Sequence, residues 1–223
     1  MARHLDLEEQ EQLDDLRHFW KQYGNLISWF LIAVAGSFAA FNGWQYWQRT
    51  QAVQASALYD EVERAATGGD VARVEQAWKD MQDKFGRTTY AQQSGLLAAK
   101  VLAEKGKPDA AKSALQWVAD SSGDEGLRAI GRLRLAAVLV EAKQYDDALK
   151  QLSGVPREFE GLAADRRGDI YSLQGKKDQA RSEYTKAWQN FPIESEYRTL
   201  VEVKLTSLGV DVQSLKPAEA AKS

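Results

Sequence analysis

Histidine and cysteine carry much of the nucleophilic and metal chemistry of proteins, and this chain is nearly without them. It has no cysteine and only two histidines, His4 and His18. Without a thiol there is no disulfide, no thiolate nucleophile and no cysteine ligand for zinc. Both histidines precede a long uncharged stretch. The remainder of the chain therefore lacks the base of a Ser-His-Asp triad or a Cys-His pair. No Gly-rich phosphate loop of the nucleotide-binding kind occurs. Asp146-Asp147 offers the carboxylates of a glycosidase, but the pair stands between two helix-forming runs, where acids are expected to cap a helix. His18 is expected to be a polar surface residue rather than a ligand. The 29 basic and 32 acidic residues, net −3, are mixed along the chain. Arg166-Arg167 and Lys176-Lys177 therefore read as solvated faces, not phosphate clamps, and no basic stripe for nucleic acid appears. The inventory speaks against an enzyme, requires no cofactor or metal, and points to a protein that works by contact.

The element that must position those contacts is the uncharged stretch itself, Gln22 to Gln48. As a helix rising about 1.5 Å per residue it would extend roughly 40 Å, against a hydrocarbon core of about 30 Å. Trp20 and Tyr23 stand at one end and Trp44, Tyr46 and Trp47 at the other, the ring types that favour the headgroup level. A single transmembrane helix is the expectation. Ala33-Val34-Ala35 has the form of a signal-peptide cleavage site, but the apolar run continues to Trp47, and the residues before it are acidic where a signal peptide is basic. Arg3, Arg17 and Lys21 precede the span, while Arg49 and the more distant Arg64 follow it. That bias favours a cytoplasmic N-terminus and a C-terminal part facing outward. Within the span Gly36 pairs with Ala40, and Ala39 with Gly43, at small-x-x-x-small spacing. Such a stripe lets a second membrane helix approach closely. Ahead of it Leu13, Leu16, Trp20, Tyr23 and Ile27 recur every three or four residues, the signature of one helical face.

After Thr50 no segment alternates as a strand does. Runs rich in Ala, Leu, Glu, Gln, Lys and Arg are broken by Gly, Asp or Pro, which predicts helices. The predicted spans are 51–66, 70–85, 88–104, 108–120, 125–142, 145–153, 157–173, 177–190 and 193–208. The loops before Ala111, Ala148 and Ala180 resemble one another and place these alanines 37 and 32 residues apart. That is close to the 34-residue tetratricopeptide period. Around them Gly168, Tyr171, Ala180, Tyr184, Ala187 and Pro192 match the small, aromatic, small, aromatic, small and proline positions of that repeat. Ala136, Leu139, Ala148, Leu152 and Val155 fill the unit before, and Ala99, Leu102, Ala111, Leu115 and Val118 the one before that. Small residues let two antiparallel helices touch, and larger apolar ones fill the gap beside them. The fold class is therefore all-α, an N-terminal transmembrane helix followed by a tetratricopeptide-like α-solenoid. Four segments are expected: 1–21 amphipathic and cytoplasmic, 22–48 transmembrane, 49–208 repeats, and a tail 209–223 without regular structure. Tyr59, Trp78, Trp117, Tyr145, Tyr171, Tyr184 and Trp188 are expected to be mostly core, with one or two left for an interaction surface.

Together these features resemble the ancillary subunit family of the bacterial SecYEG translocon. The likeness covers nearly the whole chain. It includes Glu9-Gln10-Glu11-Gln12-Leu13 to Phe19-Trp20-Lys21, the entry Tyr23-Gly24-Asn25, the exit Gly43-Trp44-Gln45-Tyr46-Trp47, and the helix start Ala52 to Tyr59. It continues through Tyr90-Ala91, Leu127-Arg128-Ala129-Ile130, and Arg132 to Ala136. Ala164-Asp165-Arg166-Arg167-Gly168-Asp169 followed by Gly175-Lys176-Lys177-Asp178-Gln179-Ala180-Arg181 is the strongest match. The resemblance implies an inner-membrane protein with a cytoplasmic N-terminus and a periplasmic repeat domain. Its implied partners are the SecYEG translocon, a membrane-anchored periplasmic chaperone of prolyl-isomerase-like type, unfolded exported chains, and a cytoplasmic stress-response regulator. A scaffold for cell-division or envelope-biogenesis complexes and a direct holdase are the competing readings.

Overall fold

The computed structural model describes residues 7–215. The chain divides into two compact units, Met1–Gln51 and Ala52–Ser223. Among the described residues every regular element is helical. Helix α1 (Leu7–Gly68) contributes to both units. The sequence predicted separate helices at 22–48 and 51–66; they are one, because Arg49-Thr50-Gln51-Ala52 contains no breaker and no glycine intervenes between Gly43 and Gly68.

In the first unit no described residue outside α1 covers its apolar run. Leu26, Trp29, Phe30, Leu31, Ile32, Val34, Phe38 and Phe41 are all exposed. The most apolar 18-residue window of the helix has a mean hydropathy of 1.6 and is only 6% buried. A core helix of a soluble domain would be covered, so this surface is built for lipid or for another membrane helix. Its polar side chains are satisfied locally. Ser37 Oγ donates to the Ala33 carbonyl at 2.8 Å, Asn42 Nδ2 to Phe38 at 2.8 Å, and Thr50 Oγ1 to Tyr46 at 3.0 Å. Such back-bonding answers the requirement that polar groups in hydrocarbon find partners within the helix.

The second unit stacks the end of α1 with α2 (Val71–Phe85), α3 (Thr89–Glu104), α4 (Pro108–Ser121), α5 (Glu125–Glu141), α6 (Tyr145–Leu152), α7 (Glu160–Leu173), α8 (Lys177–Asn190) and α9 (Glu196–Ser207). Five turns set its period. Gly69, Gly106, Lys143, Gly175 and Gly209 have positive φ, at intervals of 37, 37, 32 and 34 residues. In each, the next N–H reaches back five residues: Asp70 to Ala65, Lys107 to Leu102, Gln144 to Leu139, Lys176 to Tyr171 and Val210 to Leu205. This is the Schellman ending of a helix. The first helix of every repeat thus stops in the same way, and α9 is the first helix of a fifth repeat. The sequence showed three such loops. Second helices open with a mixture of devices: Asp70 accepts from the Arg73 N–H at 3.0 Å, and Pro108 occupies the first turn of α4.

Two boundaries differ from expectation. Residues 157–159 form a 3-10 turn ahead of α7. Helix α9 starts at Glu196 rather than 193, because Pro192 and Ile193 sit in a turn closed by the Ser195 N–H on the Pro192 carbonyl at 3.1 Å. The described part of the predicted tail is structured. Val212–Ser214 is a 3-10 turn, and Val210, Val212 and Leu215 pack on a core cluster of Ala164, Ala180, Tyr184, Ala187, Trp188, Val201 and Leu205. Residues 216–223, like 1–6 with His4, lie outside the described residues. A larger cluster spans the earlier repeats, from Ala55 to Ile170.

Candidate functional site

Gly36, Ala40 and Gly43 fall on one stripe of α1, with Ala39 at its edge. Ala39 and Ala40 are exposed, and a Cβ built on Gly36 or Gly43 would meet nothing within 4 Å. Among the described residues nothing packs on this close-approach surface. The rings flanking it are exposed as well: Trp20 and Tyr23 before it, Trp44, Tyr46 and Trp47 after it. Trp44 and Trp47 lie 5.1 Å apart, centroid to centroid. Such a girdle suits the interface on both sides of a membrane. On the preceding turns Leu13, Leu16, Phe19 and Trp20 are exposed too, and Trp20 covers Gly24.

The repeat residues predicted from spacing sit where helices touch. Ala99, Ala111, Ala136, Ala148, Ala180 and Ala187 are buried. Gly168 on α7 faces the Tyr184 ring of α8 so closely that a Cβ would come within 2.5 Å of it. Tyr171 is half-buried at the rim, with Lys176 Nζ 5.8 Å from its ring. Trp78, Tyr184 and Trp188 are buried, while Tyr59, Trp117, Tyr145 and Tyr171 keep part of their surface. Trp78 and Trp117 meet edge to face at 5.0 Å.

Two partly buried ion clusters escaped sequence reading. Lys204 Nζ of α9 donates to Asp165 and to Asp169 of α7, both at 2.7 Å. The Tyr184 hydroxyl of α8 donates to Asp169 at 2.8 Å. Asp165 is 1% exposed. Burial pushes its carboxyl up against the lowering effect of the Lys204 bond, and burial with the Asp169 contact raises the Tyr184 hydroxyl strongly. Lys204 is held above its ordinary value: burial disfavours its charge, but Asp165 and Asp169 outweigh that. In the second cluster Arg167 donates to Glu183 at 2.7 Å, to Glu160, and to the Leu152 carbonyl at 3.2 Å. Lys186 adds a 2.6 Å bond to Glu183. Burial opposes ionisation of Glu183, yet bonds from Lys186 and Arg167 prevail and lower its pKa.

Two readings are corrected here. Arg166 is exposed, but Arg167 is not a solvated residue; its side chain is 14% exposed and fully engaged. Asp146 and Asp147 are exposed in the first turn of α6 and favour its positive end, but neither caps it through a side-chain hydrogen bond. Among the described residues no group of His, Cys, Asp or Glu could hold a metal ion.

An apolar helix with an uncovered small-residue stripe, carried by the same chain as stacked helix pairs, defines the class: a single membrane-length helix joined to a tetratricopeptide-like solenoid. A tetratricopeptide repeat-like domain model matches residues 17–210. The chain is 31% identical to the ancillary SecYEG translocon subunit of Neisseria gonorrhoeae, over 93% of this chain and all of that one. It is 35% identical to the ancillary SecYEG translocon subunit of Haemophilus influenzae, over 82% of this chain and 90% of the other. With that of Escherichia coli it shares 31%, over 81% and 85%. The chain belongs to the ancillary SecYEG translocon subunit family.

Proposed function

We propose that this chain is a non-catalytic ancillary component of the SecYEG translocon that passes emerging exported chains toward chaperones. In this reading 1–21 lies in the cytoplasm, 22–48 crosses the inner membrane, and the repeats from 49 to 208 stand in the periplasm. The observation that carries it is the uncovered stripe of Gly36, Ala40 and Gly43 within an apolar run whose large side chains from Trp29 to Phe41 are exposed. Without a hydrophobic driving force between helices in lipid, close packing at small residues is what selects a membrane partner. The Lys and Arg of 1–21 favour the orientation. The span would hold the repeats beside the channel, where local concentration stands in for high affinity. A membrane-anchored chaperone of prolyl-isomerase-like type is the proposed recipient, and contact with a stress-response regulator is assigned to the segment before the span.

In-cell photocrosslinking tests this. Probes at Gly36 and Gly43 should yield adducts with channel subunits, and probes on exposed positions of α3 and α5 should yield a periplasmic chaperone. Adducts only with cell-division or other envelope-biogenesis proteins would refute the translocon reading and leave an anchored scaffold.

A further inference from the structure

The acids of the N-terminal segment stop at Asp15, and the next acid is Asp60. Between Asp15 and the uncharged run stand only Arg17, His18 and Lys21 as titratable groups. The turn of α1 that abuts the apolar run is therefore basic, although the segment before it is acidic. Leu16, Arg17, His18, Trp20 and Lys21 line one open notch, and all five are exposed. Gly24 shapes it. A Cβ there would come within 3.2 Å of Cδ1 and Nε1 of Trp20, so the missing side chain lets the ring lie along the helix toward the apolar run. Arg17, Trp20, Lys21 and Gly24 recur at three and four residues and share a face. Among the described residues neither Lys21 nor His18 has a carboxylate or hydrogen-bond partner, whereas Arg17 is already engaged. Depth decides what Lys21 meets. The uncharged run, Gln22 to Gln48, exceeds the hydrocarbon thickness by roughly 10 Å, or about 5 Å at each end, the depth of a headgroup layer. Lys21 follows directly and stands at the level of the lipid phosphates.

We propose that this notch binds the headgroup of one anionic phospholipid, of the phosphatidylglycerol class. Lys21 Nζ meets the phosphate oxygens as a point charge, with His18 beside it as a further polar contact. The Trp20 ring covers the glycerol and the first methylenes, as an amphipathic ring at the headgroup level does. The acyl chain then continues along the exposed apolar surface that begins at Leu26 and includes Trp29 and Phe30. Two observations select a lipid over an acidic polypeptide. The notch is continuous with an apolar run that only lipid or another membrane helix can cover. Its one unengaged ammonium lies at the edge of that run beside a flat ring. A phospholipid supplies a phosphate for the first and an acyl chain for the second in one molecule. Either leaflet offers such headgroups, so the site works whichever side of the membrane this end occupies.

Native mass spectrometry tests this on the full chain released from nanodiscs of mixed phosphatidylcholine and phosphatidylglycerol. The parent chain should retain phosphatidylglycerol in preference to phosphatidylcholine, saturating at one molecule per chain. Lys21→Gln should lower that preference about fivefold, and Trp20→Ala should lower it as well. Arg49→Gln, which removes a cation at the opposite end of the run, should leave it unchanged. Equal retention of the two lipids by the parent chain overturns the proposal. So does an equal loss in Lys21→Gln and Arg49→Gln, which would show attraction by overall charge and not by a site. Displacement of the retained lipid by inorganic phosphate would assign the notch to a free anion and overturn the lipid as its ligand. All three positions are exposed, and circular dichroism of each variant should match the parent chain.

Discussion

Gly168→Ala puts the packing of the repeats to a sharp test, because two effects of opposite sign compete. In a helix interior alanine is favoured over glycine by about 1 kcal/mol. Against that, the new Cβ would lie 2.5 Å from Cδ1 and Cε1 of Tyr184, so the ring must give by roughly an ångström to restore ordinary contact. The ring is not free to do so. It is 4% exposed, and its hydroxyl is tied to Asp169 at 2.8 Å, the same carboxylate that holds Lys204 of α9. Overpacking costs about 1–3 kcal/mol, and weakening a hydrogen bond to a charged group adds about 1.5–3 kcal/mol if it is lost outright. The net expectation is a loss of about 2–3 kcal/mol. At about 2–4 °C per kcal/mol for a domain of this size, Tm should fall by about 4–12 °C. Far-UV circular dichroism of the full chain in detergent measures it. The sign should reverse in a Tyr184→Ala background, where Gly168→Ala has nothing to strike and should raise Tm by a few degrees. An unchanged or higher Tm for the single Gly168→Ala variant would refute the reasoning.

Lys204→Met should cost about 3 kcal/mol in the same assay, because Asp165 would keep its buried charge without a cation; Asp165→Leu added to it should restore most of the loss. Lys143 alone among the five repeat turns places a side chain at positive φ, so Lys143→Gly should stabilise by about 0.5–1 kcal/mol, seen as a higher Tm. The two buried acids should have opposite pH signatures. Glu183, with its lowered pKa, contributes stability that is present at neutral pH and lost as pH falls through its folded value. Asp165, with its raised pKa, is more readily protonated in the folded state, so its contribution improves as pH falls. Denaturant titrations between pH 7 and 3 should therefore show Glu183→Gln losing stability less steeply than the parent chain, and Asp165→Asn more steeply.

Much of this architecture was legible in the order of residues. Twenty-seven uncharged positions from Gln22 to Gln48 fix a membrane-length helix whatever surrounds them. The alanines at 111, 148 and 180 mark the repeat, because antiparallel helices approach most closely where side chains are small. The two outer repeats were harder to read: their loops, at Gly69-Asp70 and Gly209-Val210, share with the others a backbone geometry but few residue types. Only tertiary structure decided the ion clusters. Lys204 lies 39 and 35 residues from its two acids, and α7 lines up Asp165 and Asp169 toward it while turning Arg167 to Glu183. No local pattern distinguishes Arg167, largely enclosed among three carboxyl and carbonyl partners, from Arg166 beside it in solvent. Adjacent residues on a helix point about 100° apart, and which direction is inside depends on where the next helix lies.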